Sequence, residues 1–294
     1  MTRRKIFRVR LSSRTLFLGE RTLVMGILNV TPDSFADRGK FLDPQYAVEH
    51  ALEMEGAGAD LLDVGGESTR PGSRGTSAEE ELARVMPVLK ALHGVLSIPI
   101  SIDTRKADIA KAAIGAGASI INDISGLKTD PRIAEVAARH DVPLILMHMR
   151  GEPRTMQKAP FARNVMKEVT QGLRVSIGKA RKAGVPKSQI IIDPGIGFGK
   201  SFQQNYELLQ RLPEFGKLGY PLLVGTSRKG FLGASLARHG KPAPPEERLW
   251  ATAATVAASI LGGAHIVRVH DVAEMAQVAR VADYLLAPQN SPRG

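Results

Sequence analysis

The chain has 294 residues and a formal net charge of +11, from 40 Lys and Arg against 29 Asp and Glu. Its 43% apolar content can build a core and its 23% charged content is ordinary, which excludes a disordered chain. The absence of cysteine excludes a disulfide scaffold, a thiolate nucleophile and any Cys-ligated zinc or iron–sulfur site; with no signal-type apolar stretch and no run near ~18 apolar residues, the expectation is a cytoplasmic protein away from membranes.

Residues 1–22 hold seven basic residues and one acid, Glu20. Phe7, Val9 and Leu11 alternate with Arg8 and Arg10, and Leu16-Phe17-Leu18 follows the polar stretch Ser12 to Arg14. This alternation predicts a short N-terminal β-hairpin extension over residues 1–22. An Arg-rich, acid-poor start is also what a transit peptide shows, so that alternative stays open here.

From residue 23 one pattern repeats: a short Ile/Val/Leu-rich run ends in a polar residue, and a helical stretch follows. The runs are Leu23–Val30, Asp60–Gly66, Ile98–Asp103, Ser119–Ser125, Pro143–Met149, Ile190–Asp193, Pro221–Ser227 and Ile266–Val272. Small clusters such as Gly56-Ala-Gly58, Gly115-Ala-Gly117, Ala183-Gly184 and Gly262-Gly263 stop the helices between them. Near-continuous apolar strands mark a parallel sheet buried on both faces. Eight such units predict an α/β protein with a single (β/α)8 TIM barrel over residues 23–288, and residues 289–294 read as a flexible tail. Asp33–Phe41 and Arg150–Phe161 read as long βα loops. The late helix Glu247–Leu261, Ala-rich and apolar on more than one face, is the expected dimer surface.

In such barrels the functional site lies at the C-terminal strand ends. There fall Asn29, Asp63, Asp103, Asn122, His148, Asp193 and His270. Polar groups inside apolar strands are costly unless satisfied, so seven at equivalent positions argue for a ring around a polar ligand.

Several motifs sharpen this. Asp193-Pro-Gly-Ile-Gly-Phe-Gly-Lys-Ser201 fits neither common nucleotide fingerprint. A Walker A loop needs glycine where Pro194 stands, and a dinucleotide fingerprint from Gly195 needs one where Lys200 stands. Its glycines still allow backbone to approach a flat ligand, with Phe198 as an aromatic wall. Arg268 and His270 share one strand face and suggest an anion site. Ser227-Arg228-Lys229-Gly230 places two cations at another strand end. Asn29-Val-Thr-Pro-Asp-Ser-Phe35 and Glu67-Ser-Thr-Arg-Pro-Gly72 read as polar loops over the mouth, although ordinary turn chemistry explains either alone.

Together these blocks resemble the dihydropteroate synthases. The matches are Gly26 to Phe35, Asp63 to Gly72, Ser101-Ile-Asp-Thr-Arg105, Ile121 to Gly126, Leu146 to Gly151, Asp193 to Gly199, Gly225 to Gly230 and Val267 to Asp271, in family order over about residues 23–285. The resemblance implies a homodimeric (β/α)8 transferase of folate biosynthesis, the target of sulfonamides. It would join 4-aminobenzoate to 7,8-dihydropterin-6-ylmethyl diphosphate, with Mg2+ as cofactor and diphosphate released. Carried over by position, it implies Asp103, Lys229 and Arg268 as catalytic residues. Thr69, Asp103, Asn122, Met147, Asp193, Phe198, Gly225, Lys229, Arg268 and His270 would take the pterin and diphosphate. Phe35, Thr69, Arg70, Pro71, Phe198 and Lys229 would take the aminobenzoate, and Asn29 the metal.

The reaction implied is substitution at a methylene carbon, which asks for leaving-group stabilisation and exclusion of water rather than a strong base. The loops Thr31–Phe41 and Ser68–Thr76 are expected to close over the site. Departures are small: Gln204 precedes Asn205 where many relatives carry His, and Gly230 stands where many carry Ser. Two other functions compete with this one. A pterin-binding methyltransfer module shares the barrel but should lack the Ser-Arg-Lys block and the two mouth loops. A nucleic-acid binder should interleave basic residues with exposed aromatics; with 5% aromatics and the single Trp250, no such stripe is visible, and no nucleic-acid partner is expected.

Overall fold

The structure is a computed structural model that describes residues 4–31, 43–68, 72–73, 75–152, 154–156 and 163–286. Phe35, Thr69, Arg70 and Pro71, most of the first mouth loop and the tail lie outside the described residues.

The eight apolar runs form eight parallel strands. They are Leu23–Asn29 (β3), Leu61–Gly65 (β4), Ile100–Asp103 (β5), Ile120–Asp123 (β6), Leu144–Met147 (β7), Ile190–Asp193 (β8), Leu223–Val224 (β9) and Ile266–Val269 (β10). Neighbours run β8-β7-β6-β5-β4-β3-β10-β9, and a parallel bridge between Ile192 and Leu222 joins the two ends into a barrel. Helices cover the outside: Pro44–Gly56 (α1), Ala78–Leu92 (α2), Ala107–Gly115 (α3), Ile133–His140 (α4), Val165–Lys182 (α5), Phe202–Gln210 (α6), Gly230–Ser235 (α7), Leu249–Leu261 (α8) and Val272–Leu286 (α9). Among the described residues no helix is long and apolar enough to cross a membrane.

Local chemistry sets the helix starts. The Asp43 carboxylate accepts from Gln45 N (2.9 Å) to cap α1. Ser77 with Glu80, and Ser201 with Gln204, form reciprocal capping boxes on α2 and α6. Gln204 is therefore occupied at a helix start.

Phe7–Arg10 (β1) and Thr15–Leu18 (β2) pair antiparallel as a hairpin. Val9, Leu11, Leu16 and Leu18 pack against Leu23, Met25, Leu61, Ile120, Ile145, Ile191, Leu223 and Ile266. Those partners lie near the N-terminal ends of their strands, so the hairpin is the floor of the barrel. Three cations of this N-terminal segment pair with acids of the barrel. Arg4 donates to Asp283 (2.5 Å), Arg10 to Asp141 (2.5 Å), and Arg21 pairs with Asp60.

Two elements are shorter than the sequence suggests. β9 ends at Val224 because the chain beyond it bonds elsewhere: Thr226 Oγ1 accepts from Thr255 Oγ1 (3.0 Å), and Ser227 Oγ accepts from His270 N (3.1 Å). The late helix begins at Leu249; Pro245–Arg248 form a separate 3-10 turn whose Arg248 side chain bonds backbone carbonyls.

Candidate active site

Strand register brings the mouth together. Asn29, Gly65, Asp103 and Asn122 lie side by side across β3, β4, β5 and β6, and Met147 lies beside Asp193 across β7 and β8. Asp63 is two residues before Gly65, so it shares the inward face one step deeper.

Asp63 is the hub. It is fully buried, and its Oδ2 accepts from Arg268 Nε (2.6 Å) and from Asn122 Nδ2 (2.9 Å). Its Oδ1 is buried with no hydrogen-bond partner. Arg268 Nη2 reaches on to Asp103 Oδ2 (2.9 Å), so one guanidinium ties two carboxylates from two strands. Asp193 Oδ1 accepts from Gly195 N (2.6 Å). Lys229 returns across the mouth: its Nζ donates to Ile196 O and lies 4.5 Å from the Phe198 ring centroid. A Cβ at Gly197, whose φ is +86°, would come within 2.7 Å of Lys229 Cδ, so glycine makes room for that stem. Met147 joins Ile124, Met149 and Met156 in an apolar patch that touches Phe198.

Burial dominates the electrostatics here. It pushes the Asp103 carboxyl up to about 8 against the pull of Arg268, with the Asp63 charge adding to the rise. It also raises Asp193, opposed by Lys229. It lowers the Lys229 ammonium to about 8, opposed by Asp193. Burial works against the Arg268 charge too, but Asp63 and Asp103 outweigh it and hold its pKa above the ordinary value. Such a mouth can bind a flat heterocycle by its polar edge between apolar walls. The Arg268 guanidinium offers charge to an anion beside it.

The predicted residues divide as follows. Asp103, Asn122, Met147, Asp193, Phe198, Lys229 and Arg268 converge on the mouth. Gly225 lies beside them, where a Cβ would sit 3.8 Å from Lys229 Nζ. His270 borders it, with Nδ1 3.0 Å from Ser227 Oγ. Asn29 ends β3, half-buried. Two expectations change. His148 leaves the ring: it follows Met147 by one residue, so its side chain faces outward onto Gly172 of α5. Arg228 turns away from Lys229 to pair with Asp271. Lys200, where the nucleotide fingerprints already fail, is buried and clamps the loop by donating to His148 O (2.8 Å) and Gly195 O (2.7 Å).

Asp63 is absent from the set implied by resemblance, although its place at the end of an apolar strand signals it. Glu67 starts the second mouth loop from a buried network with Arg105 (2.5 Å) and Lys106 (3.1 Å), and Lys106 also binds Glu81 (2.5 Å). Among the described residues no group of three or more His, Asp or Glu is placed to hold a metal ion.

Comparison with known proteins adds four findings. Residues 25–270 match the pterin-binding enzyme family. A dihydropteroate synthase of Synechocystis is 50% identical, covering 92% of this chain and 93% of its own. A Yersinia pestis dihydropteroate synthase in complex with a sulfonamide drug superposes with a TM-score of 0.90 at 40% identity, covering 96% of this chain and 100% of its own. A Xanthomonas albilineans dihydropteroate synthase with 4-aminobenzoic acid gives 0.87 at 41%, covering 96% and 99%.

Proposed function

The chain belongs to the pterin-binding enzymes and, among them, to the dihydropteroate synthases, and from that premise we propose how its mouth joins 4-aminobenzoate to 7,8-dihydropterin-6-ylmethyl diphosphate. The observation that carries the assignment of roles is the buried set Asp63, Arg268, Asp103 and Asn122, with Asp193 and Lys229 across from it.

Asp193 accepts hydrogen bonds from the pterin amino group and adjacent ring N–H, as a carboxylate accepts a bidentate donor. Asn122 donates and accepts on the same edge, Asp103 accepts, and Lys229 donates to a ring acceptor. Met147 and Phe198 enclose the ring faces. Arg268 and His270 meet the diphosphate, and Thr69, Arg70, Pro71 and Phe35 are assigned to the diphosphate and aminobenzoate sides. The C–O bond to diphosphate breaks and its electron pair leaves with the phosphate oxygen. The aminobenzoate nitrogen forms the new C–N bond and then loses a proton to solvent. The arylamine is neutral at pH 7, so the protein stabilises the leaving group and positions the ring instead of supplying a strong base.

Asn29 offers one neutral oxygen, which suits Mg2+ because that ion keeps water and phosphate oxygens as its other ligands. Asn29 would hold it, and when bound it would neutralise charge on the diphosphate. The exposed Trp250, Ala254 and Ala258 line one face of α8 and are assigned to the contact between subunits of a homodimer.

The test is incubation with the dihydropterin diphosphate with and without 4-aminobenzoate. Diphosphate release that depends on the amine, and that a sulfonamide competes away, supports the reading. Binding of methyltetrahydrofolate with no diphosphate release favours a methyltransfer module instead. The rate should fall on the alkaline side, because above about 8 Lys229 loses its charge and Asp103 loses its proton. A pH–rate profile flat from 7 to ~9 would contradict the role given to Lys229.

A further inference from the structure

One residue before Lys229 the backbone leaves ordinary geometry. Arg228 has φ +56°, in the left-handed region that L side chains avoid. Both of its main-chain groups are held from α8 and the turn before it. Its N–H donates to the buried Thr252 Oγ1 (3.0 Å), and its carbonyl accepts from Arg248 Nη1 (2.7 Å). The Arg228 side chain donates through Nε to Asp271 Oδ2 (3.0 Å).

Arg248 is used in an uncommon way. Its Nε and Nη2 both donate to Ala243 O (2.8 and 2.6 Å), so these bonds and the one to Arg228 all go to backbone carbonyls. Gly233 of α7 lets it in: a Cβ there would lie 2.5 Å from Arg248 Nε and 2.6 Å from Ala243 O. Burial lowers the Arg248 pKa, only partly offset by Glu246. Such a cost is repaid by the geometry the fork fixes. That geometry is the turn at Arg228, which sends the next side chain back over Phe198 and Ile196 O.

We propose that Arg248 is a positioning residue for the pterin site: from the turn before α8 it holds Arg228 in its left-handed conformation and so aims Lys229 into the barrel mouth. The inference rests on the transferase reading, in which Lys229 donates to the pterin. Arg248 touches no substrate. The charged groups facing Lys229 come from other elements: Asp193 of β8, Lys200 after it, Asp103 of β5 and Arg268 of β10. None of them changes when Arg248 does.

The test uses the full chain, with binding of pteroic acid, kcat and KM for the pterin diphosphate, a pH–rate profile and Tm. Arg248→Met is expected to weaken pteroic acid binding about tenfold, raise KM for the pterin diphosphate in parallel and change kcat less. Its alkaline limb should move upward as a looser Lys229 is better hydrated. Arg248→Lys, which keeps one donor, should recover part of the loss. Thr252→Val removes the other clamp and keeps the charge, so it should act in the same direction and more weakly; it carries the test if Arg248→Met does not fold. Arg228→Gly placed in the Arg248→Met background should regain affinity, since glycine takes φ +56° without a clamp. A lowered Tm with unchanged pteroic acid affinity and an unmoved alkaline limb would overturn the proposal and leave Arg248 purely structural. Failure of the parent protein to bind pteroic acid would overturn the transferase reading, and this inference with it.

Discussion

At the N-terminal end of the barrel, Leu18 and Val9 of the hairpin fill the space beneath Met25, Leu61 and Ile120, all fully buried. At the other end of the same strands the inward positions are Asp63, Asp103, Asn122, Asp193 and Arg268. There a carboxylate oxygen lies buried without a partner, and burial displaces the titration of Asp103 and Lys229. The floor satisfies its groups and stabilises the fold. The mouth keeps charges and polar edges that only a ligand would complete, and it lowers stability in exchange for recognition.

That contrast can be broken from either end. The largest effect is expected at the mouth. Arg268→Ala should reduce kcat for diphosphate release by about 10²–10³, because it removes the cation assigned to the leaving group. A steady-state assay checks this, and near-normal turnover would move the anion site elsewhere. Next comes the floor. Leu18→Ala should cost about 2–5 kcal/mol in urea unfolding, while activity per folded molecule stays the same. A large loss of kcat without a loss of stability would mean that the floor also shapes the site.

The third prediction concerns pH. Because the folded pKa of Asp103 is raised from 3.8 to about 8, the native state holds a proton that the unfolded chain releases. Stability of the ligand-free protein should therefore fall as pH rises from about 4 to 8. Asp103→Asn should flatten that fall while losing activity, read by thermal melts across the range. The smallest effect is expected at the floor's rim. The Arg10–Asp141 pair is exposed on both sides, so Arg10→Ala should cost under about 1 kcal/mol and leave turnover unchanged.

The strands were readable because a parallel sheet buried on both faces writes itself as unbroken Ile, Val and Leu. The hairpin was readable from the alternation of Phe7, Val9 and Leu11 with arginines. Its place as the barrel floor was not, since that depends on contacts with every part of the chain. The pairing of Arg4 with Asp283 spans 279 positions and has no local signal. At the mouth, period-two alternation separates Met147 from His148 and Asn122 from Asp123, and applying it strictly would have turned His148 outward. The adjacent cations Arg228 and Lys229 looked like one anion site; a left-handed turn at Arg228 sends them to different partners. The basic residues have separate roles: Arg4, Arg10 and Arg21 pair with acids at the floor, while Lys229 and Arg268 stand at the mouth.

A crystal structure of the protein with pteroic acid tests the assignment of the mouth most directly. The pterin edge should lie within hydrogen-bonding distance of Asp103, Asn122, Asp193 and Lys229, with its ring against Met147 and Phe198. A pterin bound away from these residues, or bound with its polar edge in solvent, would contradict it.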